Sequence, residues 1–392
     1  MSSRSIRSIR HRTILDSHVG FTTEFIVELE DGAYGTGSSS QGETISIYED
    51  RGSAVDPTRI VDAIQQDGVV GKGLDQAGLD RYLHSRIGDF GRNSCFALSL
   101  AFFDAVAAAS GADVHAPCKL PRLCLNVLNG GFHAYTNPVL SDFSEFMIVP
   151  RENDVMRTIS EHNLIQSAVR ERLLSSSKTV VNGNPVSEFA AKDNSAPLEF
   201  LLEVLEQLGL REKYDLMIDA SAGDLRAPGG YRLSITEDSE RSSQDLCSYW
   251  VEMVETYGIG FLEDPFHEED LAAWKELTGA CGDRCQIIGD NLYSSDAGRI
   301  EQGSREGYST AAIVKPNQAG TVSATFEAIE AAKAGRQTVI TSHRSISTES
   351  TFVCDLTCEY ETPYIKIGPL LSDYSSVIRL NRLLRLSGVG YE

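Results

Sequence analysis

The stretch Gly258–Asp270, GIGFLEDPFHEED, constrains the fold more than any other part of the chain. A short apolar run, Ile259–Leu262, stops abruptly at Glu263 and Asp264 and is followed by Pro265. An apolar run of that length between turn signals suits a strand buried on both faces of a parallel sheet. The same construction recurs: YDLMID ends at Asp219, CQIIGD at Asp290, AAIVK at Lys315, QTVITSH at His343, and PYIKIG surrounds Lys366. Successive marked residues are 44, 27, 25, 28 and 23 positions apart. A strand, a loop and a crossover helix take about 25–30 residues. The second half of the chain therefore reads as βα units with a polar residue at each strand's carboxyl end, where barrel enzymes carry their chemistry.

The chain has 392 residues, which suits two domains, one of them a barrel of about 250 residues. The first 50 residues alternate apolar and polar as strands do, with Asp31-Gly32 marking a hairpin. From Pro57 to Gly111 the apolar spacing becomes helical, and HAPCKLPRL, with two prolines, reads as a linker. The expected organisation is an amino-terminal α+β capping domain over 1–118 and a β/α barrel over 119–392. LPRLCLNVLNGG and FSEFMIVP are read as strands, Glu145 standing at the entrance of the second, and KTVVNGNPVSEFAAKDN as a patternless loop.

A net charge of −21 opposes nucleic acid and anionic membrane as partners, and no apolar run reaches the length of a membrane span. It does not oppose a small anionic substrate, because lysine, arginine and metal charges dominate locally. The eight cysteines lack a CxxC zinc pattern, so reduced thiols in a cytoplasmic protein are expected.

Three carboxylates on consecutive strand ends, Asp219, Glu263 and Asp290, offer the oxygen ligands that Mg²⁺ takes. Isolated acids at strand ends often only cap the next helix. Three in series, followed by Lys315, His343 and Lys366, point instead to metal-assisted proton abstraction beside a carboxylate.

With these motifs in view, the chain resembles the enolase family along nearly its whole length: TILDS, VELEDGA, LNVLNGGFHA, SEFMIVP, FLEDPFHEED, QIIGDNL, VKPNQAGT, SHRS and LNRLLR carry the likeness. The resemblance implies an enolase-type (β/α)8 barrel with an α+β cap, Mg²⁺ on Asp219, Glu263 and Asp290, and Lys315 as the base that takes the α-proton. It further implies Lys366 on the substrate carboxylate, Arg344 and Ser345 on the phosphate, His343 beside the reacting centre, His133 lining the pocket, and Glu145 near the leaving hydroxyl. A homodimer is also implied.

Two patches depart from the family. Where enolases carry a GDEGGFAP-like stretch with the proton-donating glutamate, this chain reads NGNPVSEFA, with Glu188 out of register. Where the family has an SGAST loop, the chain reads Ser40-Gln41-Gly42-Glu43-Thr44, and the second acid of a DD pair is Asn291. The favoured reading is an enolase-like lyase acting on 2-phosphoglycerate or a phosphonate or phosphinate relative, as the enolase-like carboxyphosphonoenolpyruvate synthases do. The alternatives are a phosphopyruvate hydratase in which Glu43 or Glu188 has become the acid, and a catalytically silent scaffold.

Overall fold

The computed structural model describes residues 3–42, 45–49, 55–111, 118–130, 136–181, 183–371 and 373–388. The first 15 described positions explain the start of the cap. β1 (Arg4–Leu15) buries Ile6 and Ile9, and β2 (Phe21–Leu29) returns antiparallel to it, pairing Ile14 with Thr22. Asp31-Gly32 turns β2 into β3 (Tyr34–Ser38), with Gly32 at φ +87° and the Asp31 carboxylate accepting the Ala33 N–H. A two-residue β4 (Gly73–Leu74) completes the sheet order β3-β2-β1-β4. The Arg92–Ala109 helix lies against β2 and β3. A Cβ on Gly35 or Gly37 would fall within 2.6 Å of that helix's backbone, so only glycine permits the approach.

The barrel begins with β5 (Arg122–Asn129) and β6 (Glu145–Pro150). A hairpin of β7 (Lys178–Val181) and β8 (Asn184–Ser187) follows, where the sequence reading expected a loop; Pro185 sits opposite Val180 on a two-stranded sheet, where a missing N–H is tolerated. Then come β9 (Tyr214–Asp219), a small sheet of β10 (Arg226–Ala227), β11 (Gly230–Leu233) and β12 (Ser239–Arg241), and β13 (Ile259–Glu263). β14 (Gln286–Gly289), β15 (Ala311–Val314), β16 (Thr338–Ser342) and β17 (Tyr364–Lys366) close the ring. Its order is β13-β14-β15-β16-β17-β5-β6-β9.

The βα rhythm expected from the spacing holds from β9 onward, but β6 runs antiparallel to both its neighbours, β5 and β9. Among the described residues no helix separates β5 from β6, and the two strands pair directly. Cys124, Met147, Met217, Phe261, Ile288 and Ile313 fill the barrel interior beneath its mouth, and a larger apolar layer, including the fully buried Trp250 and Trp274, joins strands to helices. No helix among the described residues is long and apolar enough to cross a membrane.

Cys118 and Cys358, 240 residues apart, form a disulfide with Cα atoms 5.5 Å apart. Barrel closure sets β17 beside β5 and so brings the segment before β5 against the Phe352–Glu359 helix. The expectation of eight reduced thiols is thus corrected for these two; the other six are buried.

His162, 1% exposed on the Val155–Leu174 helix, gives one testable pH dependence. Burial, with help from Arg170, lowers its pKa to about 4. Above about pH 6.5 both folded and unfolded chains hold this ring neutral. Below that, the unfolded chain takes a proton that the folded chain refuses, so stability falls as pH drops toward 4. Denaturant unfolding should show a loss of about 3 kcal/mol from this ring by pH 4, absent in His162→Gln; equal pH slopes in the two proteins would show that His162 is not its source.

Candidate active site

The barrel mouth gathers the polar strand ends into one cluster because parallel strands in register end at one level. Asp219 lies directly opposite Glu263 on β13 and opposite Glu145 on β6. Antiparallel β6 enters where its neighbours end, so Glu145, its first residue, is at the mouth and not at the floor. Asp290 and Lys315 follow β14 and β15, His343 follows β16, and Lys366 ends β17. A cavity of about 480 Å³ opens among Asn126, Glu145, Asp219, Asp290, Lys315, His343, Arg344, Ser345 and Lys366.

Lys366, 7% exposed, reaches across the barrel. Its Nζ lies 2.7 Å from Glu263 Oε2, 3.2 Å from Glu145 Oε2 and 3.4 Å from Asp219 Oδ2. Lys315 Nζ donates to Asp290 Oδ2. Asn126 donates to Glu145 Oε1 at 2.8 Å. Beneath the cluster, Asp264 has φ +43° and accepts the N–H groups of Asp290 (3.0 Å) and Asn291 (2.8 Å), which fixes the chain that presents Asp290.

Burial and like charge divide these acids. Burial and the Asp219 charge hold Glu263 well above the usual carboxylate range, against the pull of Lys366. Burial and the charges of Asp290 and Asp219 do the same to Asp264. Burial would raise Asp219 too, but Lys366 and Lys315 outweigh it and leave it lowered. Burial alone would discharge Lys366; Glu263, Glu145 and Asp219 instead raise it well above an ordinary lysine. The mouth is therefore an electrically coupled set of carboxylates already leaning on two lysines.

The cap closes one side. Glu49 Oε2 lies 2.6 Å from Arg344 Nη1, both side chains being 8% exposed or less. Glu49 also accepts from Gln318 (3.1 Å) and the Ser46 N–H (3.2 Å), and Arg344 holds its carboxyl low despite the burial that would raise it. Gln41 and Ile346 exchange backbone hydrogen bonds at 2.8 and 3.0 Å, and Ser17 N–H donates to Ser347 O at 2.8 Å. The β1–β2 turn thereby carries His18 to the cavity rim.

Of the residues singled out from sequence, Asp219, Glu263, Asp290, Lys315, His343, Arg344, Ser345, Lys366 and Glu145 come together here. Glu188 does not: the β7–β8 hairpin leads it away from the cavity lining, and it pairs with Lys192 at 3.2 Å. Glu43 and His133 lie outside the described residues. Sequence reasoning passed over Asn126, Asp264, Glu49, His18 and Arg379. Asn126 and Asp264 stand inside LNVLNGG and FLEDPF and had a local signal; the other three act through contacts distant in sequence.

Among the described residues, no three His, Cys, Asp or Glu side chains already surround a metal position, because lysine amines occupy the space between the acids. The donor set nevertheless suits a cation: Glu263 Oε1 and Asp290 Oδ1 are buried carboxylate oxygens without a hydrogen-bond partner. A buried carboxylate oxygen left unpaired is costly, and a hard divalent ion with oxygen ligands is its natural partner.

Residues 117–389 match the family described as enolase, C-terminal TIM barrel domain. The chain is also 30% identical to the enolase of Natronomonas pharaonis, over 97% of this chain and 98% of that protein. A family match over most of the chain, to a barrel of the kind seen here, and a likeness running the length of both chains lead to one conclusion: the chain belongs to the enolase family.

Proposed function

We propose that this chain is a Mg²⁺-dependent enolase-type lyase that removes the proton from the carbon beside a carboxylate in a small phospho- or phosphono-carboxylate. The observation that carries the reading is the placement of Lys315 and Lys366 in one cavity with Asp219, Glu263 and Asp290 between them. Asp219, Glu263 and Asp290 would hold the ion, and bound Mg²⁺ would supply positive charge where the substrate carboxylate gains its second negative charge.

Lys315 Nζ is the group that takes the α-proton. Lys366 stays charged, because three carboxylates surround it, and its ammonium is placed to hold the substrate carboxylate as negative charge builds. Arg344 and Ser345 face the same cavity and suit the phosphate or phosphonate end. The Arg344 guanidinium is pre-aligned by Glu49.

One observation serves the hydratase alternative. In the barrel order, β15 and β6 stand four places apart in a ring of eight, so Lys315 and Glu145 face each other across the mouth. A base and a carboxyl on opposite faces of a substrate suit removal of a proton from one side and departure of hydroxide from the other. The hydratase alternative is thus better served by Glu145 than by Glu188, which is paired elsewhere.

Mass spectrometry of 2-phosphoglycerate incubated with the protein and Mg²⁺ in deuterated water tests the reading. Deuterium at the α-carbon with little phosphoenolpyruvate is the expected result and marks base chemistry tuned to a related substrate. Rapid phosphoenolpyruvate formation would establish the hydratase instead. Neither exchange nor binding, with phosphonate analogues included, would overturn the proposal in favour of a silent scaffold.

A further inference from the structure

We propose that Arg379 is a positioning residue that fixes His343 as a neutral ring with its proton on Nε2, so that His343 serves the cavity as a hydrogen-bond donor and not as base or acid. Arg379 lies on the Tyr374–Leu386 helix and is 2% exposed. Its Nε and Nη2 both donate to Ile367 O, at 2.9 and 2.7 Å. The other Nη2 hydrogen is left to Ser375 Oγ at 2.9 Å and His343 Nδ1 at 3.3 Å, with Ser376 Oγ at 3.4 Å. A guanidinium has five donors and no lone pair, so at this contact Nδ1 must be the acceptor. A neutral ring then carries its hydrogen on Nε2, an assignment made from the bonding network.

The opposite edge of the ring is also held. Gly368 sits at φ +91°, and a Cβ there would come within 2.7 Å of His343 Cε1 and 3.0 Å of Nε2, so the imidazole rests against bare backbone. The charged groups that act on the ring are Arg379 from the helix, Lys366 from β17 and Lys315 after β15. The nearest carboxylate on the helix side, Asp373, is 3.8 Å from Arg379 and accepts from Ser375. Burial first, then these three cations, keep the ring's pKa well below the ordinary histidine value. A second proton on Nδ1 would face the guanidinium directly.

What the Nε2–H donates to rests on the proposed function: an anionic substrate held by Arg344, Ser345 and Lys366. The tautomer does not rest on it, and the test reads the tautomer. Full-length protein labelled with ¹⁵N-histidine is followed by two-bond ¹H–¹⁵N correlation from about pH 5 to 8, the range where an ordinary histidine titrates. His343 is assigned by the signal lost in His343→Gln. The expected pattern is a bare Nδ1 and protonated Nε2 throughout. Arg379→Lys, still a donor only, should keep it, and Arg379→Met should let the ring titrate or populate both tautomers. An Nδ1–H form of His343, or its titration in this range, in the unaltered protein would overturn the proposal even if Arg379→Met fails to fold. Absence of α-proton exchange with an intact Nε2–H pattern would count against the functional reading and leave this one standing.

Discussion

Lys315→Ala should lower α-proton exchange by about 10³-fold while substrate affinity changes by only a few-fold. General-base assistance is typically worth about 10²–10⁴-fold. The amine lies inside the cavity and touches only Asp290 among the strand-end acids, so its loss leaves Lys366, Arg344 and Ser345 in place to bind the anion. A group that acts in the transition state lowers kcat far more than it raises the dissociation constant. Deuterium incorporation by mass spectrometry gives the rate, and equilibrium titration with the same substrate gives the affinity. Exchange that survives the substitution would remove Lys315 from the role. His343 could not then take over in the arrangement seen here, because its Nδ1 faces Arg379 and its ring stays neutral.

Asp290→Ala should remove most Mg²⁺ affinity, by about 10²-fold or more in a calorimetric titration. Among the described residues Asp290 is one of two acids with an unpartnered buried oxygen, and Asp264 holds its backbone from below, so a ligand there is rigidly presented. The effect should also appear without any assay of turnover. A ligand at about 100 times its dissociation constant stabilises the folded chain by about 2.7 kcal/mol, so Mg²⁺ should raise the melting temperature of the unaltered protein and barely move that of Asp290→Ala. Removing the carboxylate also frees Lys315, so a second variant, Glu263→Gln, separates the two effects: it leaves the Lys315 contact with Asp290 intact and should still lose the metal. Equal Mg²⁺ binding by all three proteins would show that these acids serve only the lysines.

The barrel and most of its mouth were legible in the sequence for one reason. A repeated βα unit brings every strand's carboxyl end to the same face, so residues 23 to 44 positions apart, from Asp219 to Lys366, could be assigned to one site from spacing alone. The Asp31-Gly32 hairpin was legible too, because the turn's requirements are local.

What the sequence left open depends on direction and on closure. Glu145 reads as a residue at a strand entrance, and only the antiparallel course of β6 turns that entrance toward the site. Glu188 lies near the missing acid in sequence, yet the β7–β8 hairpin commits its neighbours to each other and leaves it to Lys192. The pairs that finish the site join Glu49 to Arg344 across 295 positions and Arg379 to His343 across 36, and the disulfide spans 240. No local pattern encodes such contacts. They exist because the closed ring and the docked cap place their backbones within reach, where desolvation makes an unpaired buried charge costly enough to select its partner.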